Sequence, residues 1–182
     1  MKSLIFILFV GIGLGVNGQH QDPTHNFTVQ RLIIVNDANE MLMMREKHVW
    51  APPSSVFNDR AFLTVSMDSL AAAYGIQIGD IELRGQFVYQ YDYHPYATIR
   101  NYYIANYTSG AIRIPEGVDD VQWIPIQQAI DRNSVPSIKS SVAQIIKNPD
   151  FVWGGSFMVS HVGDDHPTKQ VGAFYPLFGK QR

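Results

Sequence analysis

The chain contains no cysteine, which removes disulfides and thiolate metal sites in one step. Charge of one sign is also missing: 14 Lys and Arg against 16 Asp and Glu give a formal net charge of −2 at pH 7. Nucleic-acid recognition needs a basic stripe, and this balance excludes a strongly basic surface. Beyond residue 18 no apolar run approaches the ~20 residues of a membrane-spanning helix. Without cross-links, stability has to come from a core. A hydrophobic fraction of 46% over 182 residues is enough to build one of single-domain size.

The one long apolar run lies at the start. Lys2 gives a positive n-region, Leu4 to Gly15 are almost uninterruptedly apolar, and Val16-Asn17-Gly18 places short residues at a cleavage site. This is the three-part pattern of a secretory signal, and the run is too short to serve as an anchor. The expectation is an exported protein, secreted or periplasmic, cleaved after Gly18. A lipoprotein anchor would need a cysteine, and absent cysteines in an exported chain point to a bacterial envelope. Asn26-Phe27-Thr28 and Asn106-Tyr107-Thr108 match the glycosylation tripeptide, a pattern common by chance.

Residues 27–36 are β-branched and apolar and read as a buried strand; 36–39 turn, and Glu40 to Glu46 return. A loop is expected over 47–55, where Pro52-Pro53 interrupt strand pairing. From Asp59 to Tyr74 the pattern turns helical, with Phe62, Val65, Ser69 and Ala73 on one face beside Leu70, and Gly75 as C-cap. Ile81 to Tyr93 and Ile99 to Tyr107 read as a long hairpin, Val121 to Ile126 as a short strand. Ser137 to Lys147 is a helix with Ile138, Val142, Ile145 and Ile146 inward. The expected organisation is a signal peptide over 1–18, one domain over 19–148, and an aromatic, glycine-rich extension over 149–182 packing on it.

This order of elements resembles the Nudix hydrolase fold, an α/β/α sandwich around a mixed β-sheet. Leu32 to Asp37 followed by Met41 to Arg45 is similar to the family's opening hairpin. Trp50-Ala51-Pro52-Pro53-Ser54-Ser55 sits where the family writes Trp-x-x-Pro-Gly-Gly, and Ala72-Ala73-Tyr74-Gly75-Ile76 where it writes Glu-Glu-x-Gly-apolar. Val121 to Ile126 resembles the strand before the closing helix, so the likeness covers residues 27–148.

The resemblance implies hydrolysis of a diphosphate linked to another moiety, with Mg²⁺ or Mn²⁺ held by carboxylates of the Gly-x5-Glu-x7-Arg-Glu-apolar-x-Glu-Glu-x-Gly-apolar box. Here the likeness fails. Anchored on Gly75 and Ile76, the three helix carboxylates fall at Ser69, Ala72 and Ala73, the arginine at Asp68, and the upstream Glu at Arg60. Only Asp59 and Asp68 are acidic between Val56 and Ile76, and nine helical steps of ~100° turn them to opposite faces. Ala72-Ala73 then reads as close helix–sheet packing. No metal or other cofactor is expected, and the function expected is a non-catalytic domain that binds a ligand or an envelope protein. The alternative is a Nudix-type hydrolase using Mg²⁺ or Mn²⁺ with Glu116, Asp119 or Asp120, which precede the Trp123 strand.

A small anionic or nucleotide-like ligand has candidate contacts in Arg45, Trp50, Tyr91 and Arg100, which flank the expected cleft. Phe87, Tyr89, Tyr91 and Tyr93 share one strand face, either to stack on a planar ligand or to pack beneath a helix or the aromatic extension. His161, Asp164, Asp165 and His166 gather imidazoles and carboxylates in a short span that also reads as a solvated turn. A cleft filled by Phe174 to Phe178 would argue against ligand binding.

Overall fold

The computed structural model describes residues 28–57, 62–163 and 166–179. The expected signal peptide, Asn26 and Phe27 of the first tripeptide, Asp59, Arg60, Asp164 and Asp165 lie outside them.

Strand β1 (Thr28–Val35) and β2 (Glu40–Glu46) form the opening hairpin. Its turn is closed by Asn36, whose Oδ1 accepts the Glu40 N–H at 2.9 Å, while Asn39 takes the left-handed conformation at φ 61°. The hairpin does not stay zipped. Only Val35 and Met41 are register partners, and the strands then diverge. Into the fork goes the segment expected as a loop: β3 (Val49–Ala51) pairs with β2, and β4 (Ser54–Phe57) pairs with β1. The prolines between them are tolerated because their carbonyls carry the bonding. Pro53 O accepts Leu32 N–H at 2.9 Å, and Pro52 O accepts Arg31 Nη1 at 2.6 Å.

Helix α1 (Leu63–Ala73) is shorter than expected and turned differently. Met67 and Ala71 are buried with Tyr74, whereas Phe62 and Val65 are 83% and 51% exposed. Gly75 ends the helix at φ +77°, as its sequence position predicts. The hairpin of β5 (Ile76–Tyr91) and β6 (Ala97–Gly110) follows, then β7 (Asp120–Pro125) along β2. Helices α2 (Ile126–Arg132) and α3 (Pro136–Lys147) come next; Pro136 sits at the first turn of α3, where its missing N–H costs nothing.

The extension is part of the sheet. Strand β8 (Phe151–Val159) pairs parallel with β5, and β9 (Thr168–Gly179) pairs antiparallel with β8. Gly155 makes this possible, since a Cβ there would meet Phe174 at 2.6 Å. The main path of the mixed sheet runs β3-β2-β1-β6-β5-β8-β9.

Side chains alternate between two cores. Leu32, Ile34, Leu42 and Tyr103 face α1, and Ile33, Met43, Tyr102, Phe87 and Tyr89 face α2 and α3. The result is the expected α/β/α sandwich with a mixed β-sheet.

Candidate functional site

The family's metal position is on α1, and the residues there have little to offer a cation. Ser69 and Ala72 are exposed and Ala73 is half-buried. The close packing expected of Ala72-Ala73 is therefore corrected for Ala72: the helix buries the Met67–Ala71 stripe and turns Ala72 to solvent. Asp68 is also exposed and borders a shallow depression with Asp80. Among the described residues no group of three or more His, Asp or Glu converges as a metal would require. Glu116 and Asp119 are exposed; Asp120 begins β7 and accepts Gln122 Nε2 at 2.7 Å. His161 and His166 stack at 5.1 Å between ring centroids, and the Tyr93 hydroxyl meets His166 Nδ1 at 3.2 Å.

The four candidate ligand contacts separate into two pairs. Arg45 and Trp50 are partners across β2 and β3, with the guanidinium 5.8 Å from the indole and Arg132 on the same ring at 4.3 Å. Trp50 is also tied to the start of α3: its N–H donates to Ser134 Oγ and its carbonyl accepts Ser134 N–H, both at 3.0 Å. Tyr91 and Arg100 lie on β5 and β6, on the face covered by α3. The Tyr91 hydroxyl bonds Thr98 Oγ1 at 2.9 Å, and Arg100 lies 3.6 Å above the centre of the Tyr89 ring.

Between the pairs stands Arg31, a residue the strand pattern concealed. It sits on β1 in the row Val29, Arg31, Ile33, Val35, whose other members are apolar; an arginine in that row is the signal that marks it. Arg31 is only 6% exposed and adjoins Tyr102, its register partner on β6. It lines a cleft of about 360 Å³ at the fork of β1 and β2, walled by Val49, Ala51, Ser54 and Ile138, with Glu46 and Lys47 at its rim. The chain over 174–178 does not fill this cleft. Phe174 packs instead on Phe87 at 5.5 Å, and Tyr175, Leu177 and Phe178 are exposed.

Phe87 and Tyr89 are fully buried, Tyr89 stacking on Phe157 at 4.9 Å. Packing therefore takes the inner half of the tyrosine stripe and leaves Tyr91 and Tyr93 toward its rim. Burial pushes the Tyr89 hydroxyl above its ordinary pKa, with neighbouring Tyr102 adding to the shift and Arg100 opposing it. Tyr89 is thus a donor across the neutral range.

No protein-family profile matches the sequence, and no curated protein matches it significantly. Solved structures do. The MutT protein of Bacillus halodurans shares 13% identity at a TM-score of 0.66, over 79% of this chain and 97% of that one. MutT of Methanosarcina mazei Go1 matches at TM-score 0.55 and 13% identity, over 68% of this chain and 94% of its own. The Nudix domain of Shewanella oneidensis NrtR, solved with ADP-ribose, matches at TM-score 0.55 and 14% identity, over 67% and 87%. At such identities the likeness establishes the Nudix fold and nothing finer.

Proposed function

We propose that this protein is an exported, non-catalytic binding domain on the Nudix frame, taking a small anionic, nucleotide-like ligand. The observation that carries the reading is helix α1. Its capping glycine is in place at φ +77°, yet the positions preceding it present Ser69, Ala72 and Ala73 instead of carboxylates. Hydrolysis of a diphosphate in this fold relies on divalent ions to activate water and spread charge, and hard cations favour carboxylate oxygens that these residues do not supply.

Binding is supported by the open cleft at Arg31 and by the cationic residues around it. The ADP-ribose found on the NrtR domain supports a nucleotide-like ligand on this frame. Export supports the loss of chemistry, because it places the domain away from cytoplasmic nucleotide pools.

The test offers the purified protein nucleoside diphosphate sugars, dinucleotides and ADP-ribose with Mg²⁺ or Mn²⁺, following both phosphate release and melting temperature. Stabilisation without turnover is expected. Metal-dependent turnover that disappears in Glu116→Gln or Asp119→Asn would overturn the reading in favour of a hydrolase with displaced carboxylates. Export is checked separately, by N-terminal sequencing of the secreted protein for a start at Gln19.

A further inference from the structure

The face of the sheet beneath α3 holds an arrangement that ordinary packing does not explain. Arg31 and Arg100 project from neighbouring strands, and burial first, with the Arg100 charge adding to it, disfavours the charged form of Arg31. Among the described residues neither has a carboxylate within ion-pairing distance; the ion pairs present are Arg84 with Glu82 and Lys139 with Asp131. Arg31 spends one N–H on the Pro52 carbonyl, while its Nε and that of Arg100 are buried without a partner.

The neighbours deepen the anomaly. The hydroxyls of Tyr89, Tyr102 and Ser137 are buried and approach only one another and Arg31 without completing a hydrogen bond, and that of Ser141 is buried with no partner. Tyr89 and Tyr102 face the arginines, and Ser137 lies beside Tyr89. Buried polar groups are nearly always hydrogen-bonded, and each orphan is costly. A buried charge with no counter-charge is costlier still. A cluster of donors with two fixed positive charges is complementary to one kind of group, a multiply charged oxyanion.

From this we infer that the Arg31–Arg100–Tyr89–Tyr102 cluster is an anchor that holds a phosphate group of the ligand directly, without a metal ion. The inference rests on the binding reading above and names the chemistry of its site. Two positive charges favour a terminal phosphate, which carries about −1.5 to −2 at neutral pH, or the paired charges of a diphosphate bridge, over a single carboxylate. The cleft at Arg31, about 360 Å³ with apolar walls at Val49, Ala51 and Ile138, is of the size that takes the remainder of a small organic ligand. The anchor lies on the sheet face opposite α1, so protein cations take over the charge-neutralising role from a different side of the frame.

Calorimetry and thermal shift with inorganic phosphate, AMP, ADP-ribose, adenosine and succinate, all in EDTA, test this. Phosphate, AMP and ADP-ribose are expected to bind and to stabilise, adenosine and succinate to do neither. Tyr102→Phe removes a buried hydroxyl that completes no hydrogen bond in the unliganded protein; that protein should melt no lower, while affinity for AMP falls about tenfold. Arg31→Met should abolish binding, and Arg31→Lys restore a fraction of it. Should Arg31→Met not fold, Tyr102→Phe decides alone. Phosphate, AMP and ADP-ribose all failing to bind, wild-type AMP affinity in Tyr102→Phe, or succinate binding more tightly than phosphate would each overturn the anchor. Binding that appears only when Mg²⁺ replaces EDTA would overturn it too. Turnover with metal removes the non-catalytic reading but leaves phosphate binding in EDTA standing. Absence of both turnover and phosphate binding removes the anchor and leaves that reading intact.

Discussion

The two faces of this sheet are built to different rules. Toward α1 most buried side chains are aliphatic or small, among them Leu32, Ile34, Leu42, Met67 and Ala71, with Tyr74 and Tyr103 as aromatic exceptions and Gln30 as a buried polar one. Toward α3 an equally buried surface carries Arg31, Tyr89, Tyr102, Ser137 and Ser141 among its apolar neighbours. The first face is shaped mainly for stability, and its buried Gln30 carries no charge and donates its Nε2 to Thr28 Oγ1. The second gives up stability by burying donors without acceptors, a sacrifice that makes sense where a ligand supplies the acceptors. The Nudix frame places its metal chemistry on the helix of the first face, and in this chain the buried arginine and tyrosine hydroxyls nearest the cleft lie on the other.

Deleting volume from the α1 face is the sharpest way to test its purely structural role. Met67 is fully buried, and Met67→Ala should cost about 2–5 kcal/mol in urea unfolding, with no change in ligand affinity among molecules that remain folded. A loss near zero would mean that α1 is loosely docked and that the contrast between the faces is false.

Gly75, at the end of the same helix, should give the next largest effect. At φ +77° an alanine is strained by about 1–3 kcal/mol, and its Cβ would collide with the Ala111 carbonyl oxygen. Gly75→Ala should therefore melt well below Gly117→Ala, whose Cβ meets nothing within 4 Å although its φ of +82° carries similar strain. Equal melting points would show that the contact with Ala111 is relieved by local movement.

Alkaline titration probes the α3 face. Burial holds the Tyr89 proton well beyond the ordinary tyrosine range, whereas in the unfolded chain it leaves near pH ~10. Above that pH the unfolded state has lost a proton that the folded state keeps, so stability present below it drains away as pH rises. Tyr89→Phe should flatten this decline. Tyr74, raised by burial with Glu46 adding to the shift, and Tyr103, raised by burial, contribute in the same direction from the α1 side, so Tyr74→Phe and Tyr103→Phe together measure that face's share.

Much of this frame is legible in the sequence, for identifiable reasons. Strand β2 and helix α3 fall almost where periodicity puts them, because each has one apolar stripe and clear boundaries: Asn36 to Asn39 before β2, Pro136 and Asn148 around α3. Helix α1 has two competing stripes. Phe62, Val65, Ser69 and Ala73 are as plausible an inner face as Leu63, Met67, Ala71 and Tyr74, and only docking on Leu32 and Leu42 selects the second. Pro52-Pro53 conceal β3 and β4, because a proline reads as a strand breaker unless a fork makes its carbonyl the bonding group. The glycines of the extension conceal β8, whose Gly155 is required by Phe174 on the neighbouring strand. Of the site, Arg100 and Tyr91 are visible as strand residues beside a cleft. Arg31 is hidden inside a run that reads as apolar, and the cluster around it exists only once β1, β6, β5 and α3 are assembled.

The smallest effect bears most directly on the comparison because its sign is unusual. Ser140 and Ser141 are neighbours on α3. The Ser140 hydroxyl donates to the Ser137 carbonyl at 3.1 Å, whereas Ser141 is fully buried and its hydroxyl has no partner. Removing a satisfied hydroxyl at a half-buried position changes little, and Ser140→Ala should stay within about 0.5 kcal/mol of the parent. Removing an orphaned one lifts a desolvation penalty, and alanine is also the better helix former. Ser141→Ala should therefore stabilise the unliganded protein by about 1 kcal/mol, a rise of roughly 2–4 °C in melting temperature. On a face shaped only for packing, a buried substitution this small would be neutral or harmful. A gain confined to Ser141, shrinking when AMP is present, is what a face with unmet donors produces; a loss would place Ser141 among ordinary core residues and erase the difference between the two faces at that position.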